Sequence, residues 1–332
     1  MSNKNNFEPR FDSLHINYPV KERDTESEWW YFDAALDNGD HFVVMYSVND
    51  TRLYPRQPSV RTNLYEADGT NHWLIRKFSE QEATFSREKC DVRMGDQWCV
   101  DYGGSYEIYT NIDGYGARLR FTPLVPSWQA GKDGVAARIP LTNVLGAWAV
   151  AVPMAKVEGT LFKNGREIAV HGEGYHDHNW ATINPAKFLD HWHWGKVHNP
   201  DIAVDYAVLI PKKPFNKPMG VLLVLDKDGV VMEPNAKAVL KGDVTVQLLD
   251  EKTEPELGLT FANGIHMRGK NGNTLIELEI TLKRIVMKEK NELPVSGESV
   301  YRYIGNETLT VTQGDKKTTY HSSLLHEIVF LH

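Results

Sequence analysis

Cysteine, basic runs and long apolar stretches are all scarce in this 332-residue chain. Its two cysteines, Cys90 and Cys99, are too few to staple a chain of this size and have no CxxC spacing, which excludes a disulfide scaffold and the common zinc and redox motifs. Two reduced thiols are expected, with a structural pair in an edge hairpin as the alternative. No long basic run occurs and the formal net charge is −7, so the electrostatic footprint that nucleic acid or an anionic membrane requires is missing. The longest apolar stretch, VLGAWAVAVPMA at 144–155, is too short to span a bilayer. The N-terminus, MSNKNNFEPRFDSLHINYP, has no apolar segment of the kind secretion signals carry. The expectation is a soluble, cytoplasmic protein, monomer or homodimer, with no nucleic-acid partner and no integral membrane segment. A GxSxG elbow, a GxGxxG fingerprint and a P-loop are also absent, and neither cysteine has a histidine beside it in sequence.

What is present is the texture of a folded β protein. A hydrophobic fraction of 41% with 24% charged residues is that of an ordinary globular chain. Apolar and polar residues alternate with period two, broken roughly every 8–12 residues by turn signals, as in an antiparallel sandwich or barrel. WWYFDAAL, DNGD and HFVVMYSV read as strand, turn and strand, and LLVLDKDGVVM repeats the pattern. Residues 76–89 are the best helix candidate. The fold class is all-β. Two domains are expected, 1–183 and 184–332, with the chain crossing at NPAKF (184–188), since each part is then large enough for a barrel of about eight strands. PKKPFNKP at 211–218 reads as a long loop.

The chemistry is concentrated in HGEGYHDHNW (171–180) and LDHWHWGKVH (189–198). On a strand, Glu173, Tyr175, Asp177 and Asn179 share one face while His176, His178 and Trp180 share the other. The next strand sets Asp190, Trp192, Trp194, Lys196 and His198 against His191, His193 and Val197. Neither strand has the one apolar face of an ordinary half-buried strand. Burying such groups costs several kcal/mol unless they pair, so a linked polar network beside tryptophan rings is expected. Three readings compete: a network that only fixes register; a metal held by His176, His178, His191 and His193 converging from neighbouring strands; or a carboxylic acid, Asp177, kept protonated by an aromatic wall that also faces a developing cation. The opening strand SEWWYFDAAL adds Glu28, Trp30 and Phe32 on one face and Trp29, Tyr31 and Asp33 on the other. Near the C-terminus, Glu327 reads as a solvated acid and Arg302 as a candidate partner for an acid.

EWWYF at 28–32, WAVAVPMAKVEG at 148–159, GEGYHDHNWA at 172–181 and the WHWGKV that follows resemble, in order and spacing, the family of hydroxyneurosporene synthase (carotenoid 1,2-hydratase) and the AttH-type proteins, to which fungal Diels–Alderases of polyketide pathways are also similar. The resemblance implies two lipocalin-like β-barrels or sandwiches, a pocket near their interface for a hydrophobic small molecule, no cofactor and no obligatory metal. It assigns Tyr175 and Asp177 to the hydratases' YxD pattern and Trp148 to a tryptophan on a preceding strand. The histidine expected just ahead of that tryptophan is replaced by Leu145, Gly146 and Ala147. The implied activity is acid-assisted hydration, isomerisation or cyclisation at a C=C bond of an apolar, polyene or isoprenoid-like substrate. Asp177 is the expected proton donor, tuned and reloaded by Tyr175 and by His176 or His178. Glu28 and Asn179 would position, and Trp30, Trp148, Trp180, Trp192 and Trp194 would shape the pocket. The alternatives are a pericyclase and a carrier that binds an apolar metabolite without turnover.

Overall fold

The computed structural model describes residues 7–21, 25–50, 56–131, 133–138, 145–182, 184–215, 217–234, 244–292 and 297–331. The chain divides into two compact units, Lys4–Asn184 and Pro185–His332. Both are antiparallel sheets, as the period-two patterning predicts. Among the described residues no helix is long and apolar enough to cross a membrane.

Among the described residues the sheet of the first unit has 13 strands. At its centre the opening strand Ser27–Leu36 pairs on one side with His41–Asn49 and on the other with the motif strand Arg166–Ala181, which in turn pairs with Leu145–Lys163. The sheet curls on itself. The Tyr46 hydroxyl donates to the carbonyls of Trp98 (2.8 Å) and Tyr109 (3.0 Å), and Thr62 and Thr110 share a 3.1 Å hydrogen bond, so strands far apart in sheet order meet across the interior. Phe32, Phe42, Tyr46, Leu64, Ile108 and Phe121 fill the enclosed core. Cys90 and Cys99 are free thiols in this core, their sulfurs 3.8 Å apart.

The second unit is a 10-stranded sheet in which Leu189–Asn199 lies between Ile202–Pro211 and Leu325–Leu331. Its core is separate, built from residues such as Tyr206, Leu222, Met267, Leu278 and Ile328. The helix expected over 76–89 does not form. Ser79 and Glu82 do make a capping box, but it closes only one 3₁₀ turn, Glu80–Glu82, between the strands Asn71–Lys77 and Ala83–Phe85. A cap without an apolar stripe behind it has nothing to propagate.

Glycine in GEGY has a steric reason. A Cβ on Gly174 would lie 2.5 Å from both Phe121 Cε1 and Val157 Cγ2 and 2.8 Å from the Asp33 carbonyl oxygen. The motif strand can therefore lie against the core only because this position has no side chain. Gly174→Ala is expected to lower the urea midpoint by the equivalent of about 1–3 kcal/mol with an unchanged m-value. A midpoint equal to that of the parent chain would show that the site relaxes and that packing does not select this glycine.

Candidate active site

Register sorts the chemistry. Tyr31 stands opposite Asp177, Asp33 opposite Tyr175, and Trp148 opposite Asn179. Directly opposed residues of antiparallel strands share a face, so Tyr31, Asp33, Trp148, Tyr175, Asp177 and Asn179 form one surface. Glu28, Trp30, Phe32, His176, His178 and Trp180 form the other. The second surface is part of the barrel core. The first is also largely buried, yet its apolar members Tyr31, Met45, Trp128, Val150, Met154 and Tyr175 are not part of that core.

Two irregularities shape the first surface. Between the pairs Ala149–His178 and Val152–His176, two residues, Val150 and Ala151, oppose Asp177. Between Val152–His176 and Ala155–Gly174, Pro153 and Met154 oppose Tyr175. These are β-bulges, which re-aim side chains and accept a proline that an intact ladder would reject.

The Asp177 carboxyl is the focus of this surface. Its Oδ2 accepts from Trp148 Nε1 at 2.8 Å and from the Tyr175 hydroxyl at 3.0 Å, and its Oδ1 accepts from Asn179 Nδ2 at 3.0 Å. Burial pushes its pKa up to about 6, while these three donors and the charge of His176 pull it back. Trp128 meets Trp148 edge-on at 5.5 Å, and Tyr31 meets Tyr175 edge-on at 6.3 Å while donating to Asp33 Oδ2 at 3.1 Å. The result is an acid poised near neutrality beside aromatic rings, stabilised in its ionised form by neutral donors.

The opposite surface is an ion network. His176 stacks on Phe32 at 3.8 Å, donates from Nδ1 to the Tyr31 carbonyl at 3.0 Å and sets Nε2 2.9 Å from Asp12 Oδ2. Burial opposes its charge, but the Asp12 carboxylate holds its pKa up at about 10. His178 donates from Nδ1 to the Phe11 carbonyl at 3.2 Å, and its Nε2 lies 2.8 Å from Glu28 Oε1. Glu28 also accepts from the backbone N–H groups of His15 and Ile16, both at 2.8 Å. Burial would raise its pKa, yet its contacts with His15 and His178 hold it down at about 2. Trp180 stacks on His15 at 3.7 Å, and Trp30 Nε1 donates to the Asp12 carbonyl at 3.1 Å.

The structure thus brings Tyr175, Asp177, Asn179 and Trp148 together and sets His176, His178, Glu28, Trp30 and Trp180 on the other side of the strand. The expected reloading of Asp177 by His176 or His178 has no direct contact to run through. Glu28 anchors the N-terminal segment instead of facing the Asp177 surface. Trp192 and Trp194 belong to the second unit, where Trp194 stands opposite Glu327 and Trp192 Nε1 reaches Glu327 Oε1 at 3.5 Å. Arg302 pairs with that same Glu327 at 3.4 Å.

In the four-histidine metal reading the two HxH pairs fall in different units. His176 and His178 sit on a strand that pairs with Ser27–Leu36 and Leu145–Lys163, His191 and His193 on one that pairs with Ile202–Pro211 and Leu325–Leu331. The two pairs lie in different sheets. Burial pushes the His193 pKa down to about 3, and His191 meets Asp190 at 2.6 Å. Two other groups have ligand atoms within 4.8 Å of one another: Asp12, Cys90 and His176, and His15, Glu28 and His178. Both depend on the N-terminal segment, and neither Asp12 nor His15 is singled out by the sequence analysis. FDSLHI sets an acid and a histidine among Phe11, Leu14 and Ile16 with no regular period to mark them. A polar cleft of about 260 Å³ in the second unit is lined by Asp226, Lys227, Asp228 and Lys316 among others and contains none of the candidate residues.

No protein-family model matches the chain. A hydroxyneurosporene dehydrogenase of Chlorobaculum tepidum is 32% identical over 85 residues, 24% of this chain and 22% of that protein, so the chain matches less than a quarter of that relative's length. Three solved structures share the fold over most of both chains. A putative AttH from Nitrosomonas europaea has a TM-score of 0.67 at 16% identity, covering 95% of this chain and 97% of its own. CghA with Sch210972 has a TM-score of 0.66 at 13% identity over 92% and 88%. Kievitone hydratase from Nectria haematococca has a TM-score of 0.57 at 15% identity over 98% of each chain. The resemblance carried by EWWYF, GEGYHDHNWA and WHWGKV is therefore borne out in the architecture: the chain has the all-β fold of the AttH-type proteins.

Proposed function

We propose that the chain is a biosynthetic enzyme that protonates a C=C bond of an apolar small molecule, with Asp177 as the acid. The observation that carries this reading is the convergence of Trp148, Tyr175 and Asn179 on one buried carboxyl. Burial keeps the proton in place before reaction. The three donors stabilise the carboxylate that remains once the proton has moved. Asp177 gives its proton to one alkene carbon; the cation at the other faces the rings of the Asp177 surface. Water or an internal nucleophile then bonds to that carbon, and the proton this nucleophile loses returns to Asp177. No imidazole is supplied by the residues ahead of Trp148, which are Leu145, Gly146 and Ala147. Asp177 therefore serves as both donor and acceptor of the proton.

A hydratase among the solved structures of this fold supports chemistry of this class. The same surface suits a pericyclase, which would need the carboxyl only to polarise a carbonyl by hydrogen bonding. The two differ in what the proton is worth.

Native mass spectrometry of the purified chain after incubation with an extract of the producing cell identifies the retained molecule. A product heavier by one water marks hydration; an isobaric product marks isomerisation or cyclisation. With that substrate, Asp177→Asn is expected to lower kcat by about 10²–10⁴-fold while the near-UV CD spectrum is preserved. Unchanged turnover by this variant removes the acid mechanism and favours the pericyclase, and binding without turnover by the parent chain makes it a carrier.

The pH profile provides a second check. The protonated form of Asp177 is lost as pH rises through about 6, so turnover falls above that pH. The Trp148 indole favours the charged form, hence Trp148→Phe is expected to move the midpoint upward. A downward or absent shift in the carboxyl ¹³C titration would contradict the assigned hydrogen bond.

A further inference from the structure

Glu28 Oε1 lies 2.8 Å from His178 Nε2 and 3.5 Å from His15 Nδ1, and the three ligand atoms are within 4.8 Å of one another. Two imidazole nitrogens and a carboxylate oxygen are the donor set that zinc and other first-row divalent ions take. We propose that His15, Glu28 and His178 bind a divalent ion of the zinc class, which fastens the N-terminal segment to the opening and motif strands.

Each ligand already has the outer support that metal sites show. His178 Nδ1 points at the Phe11 carbonyl (3.2 Å) and at Asp12 Oδ1 (3.5 Å), leaving Nε2 to face the site. That Asp12 oxygen has no hydrogen-bond partner among the described residues. Glu28 Oε2 is fixed by the N–H groups of His15 (3.1 Å) and Ile16 (2.8 Å), so the carboxylate cannot rotate away. Trp180 stacks on His15 and Trp30 on His178, at 3.7 and 4.4 Å, which sets both ring planes.

The protein groups alone leave this arrangement incomplete. His15 Nδ1 is buried, aimed at Glu28, and lacks a hydrogen-bond partner among the described residues. It makes an ion-pair contact with Glu28 Oε1 at 3.5 Å but no hydrogen bond, and a metal ion would occupy its lone pair. An entry path exists: the His15 side chain is 23% exposed while those of Glu28 and His178 are fully enclosed. Any proton on His178 Nε2 leaves to solvent on binding, and water completes the coordination. The ion lies on the core side of the motif strand, opposite the Asp177 carboxyl, and its role is structural.

The test uses the full chain stripped with EDTA and titrated with zinc or cobalt chloride. One cobalt per chain with visible ligand-field absorption is expected, together with a zinc-dependent rise in Tm. His15→Phe keeps the stack on Trp180 and the backbone N–H groups that hold Glu28, so its metal-free Tm should match the parent. Its metal affinity should fall by more than about 100-fold and its Tm shift should vanish; His15→Ala should lose the same two signals should the phenylalanine perturb the fold. Cys90→Ser, which removes a ligand from the neighbouring Asp12, Cys90 and His176 group, should leave both signals intact. Absence of stoichiometric cobalt, parent-like affinity in the His15 variants, or loss of binding in Cys90→Ser would each overturn the assignment.

Discussion

The pairing of His176 with Asp12 and of His178 with Glu28 inside the first barrel is the constraint on which the rest depends. Buried acids and imidazoles of this kind are costly unless paired, and removing one partner of a buried ion pair strands the other at about 3–5 kcal/mol. They therefore specify register more strictly than apolar contacts could. A slip of one residue in the motif strand would carry every side chain to the opposite face, placing Asp177 against Asp12 and Glu28 and expelling the histidines. Only one register pairs each acid with a base. The same register delivers Asp177 to the surface where Trp148, Tyr175 and Asn179 meet it.

The two faces are also linked electrically. Asp177 owes its high pKa first to burial, and the charge of His176, one residue away on the other side of the strand, opposes that rise. The core network thus fixes the geometry of the acid and moderates its strength. This explains why a strand would carry polar groups on both sides. The core side sets imidazoles directly against carboxylates, whereas the three hydrogen bonds to the Asp177 carboxyl come from neutral donors. A carboxyl hydrogen-bonded by neutral donors can exist in either protonation state, as a proton-transferring group must. One locked to an imidazolium cannot.

The parts of this arrangement governed by local rules were legible in the sequence. Period-two alternation separated Tyr175, Asp177 and Asn179 from His176, His178 and Trp180, while the family resemblance, through its YxD pattern and preceding tryptophan, implied three of the four groups now in contact. Alternation says which side chains travel together, but not what each face meets. Glu28, Trp30 and Trp180 could thus be grouped correctly yet assigned to a pocket when they belong to the core. Asp12 and His15 escaped notice because they act from an irregular segment across more than 150 residues of intervening chain, where no periodicity exists to read. The two HxH pairs show the converse. They are close in sequence, but the chain passes from one unit to the other between them, so nearness along the chain carries no nearness in the sheet.

WAVAVPMAKVEG shows how much such a stretch can encode once pairing is known. An unbroken ladder would alternate Ala149, Ala151 and Pro153 against Val150, Val152 and Met154, and the proline would cost a ladder hydrogen bond. The two bulges resolve both problems. They turn Ala149, Ala151, Val152 and Ala155 to the core and leave Trp148, Val150 and Met154 on the acid's surface, while Pro153 falls where the ladder is already interrupted. The small residues then follow from the core side, where the Phe32 ring is stacked on His176 and little volume remains for a neighbouring side chain. Because each bulge lies opposite a functional side chain, Asp177 and Tyr175, the residues facing that pair are set by the irregularity and not by regular pleating. Chain irregularity and chemistry coincide at this point in the fold because a regular strand would have paired these two side chains like any others.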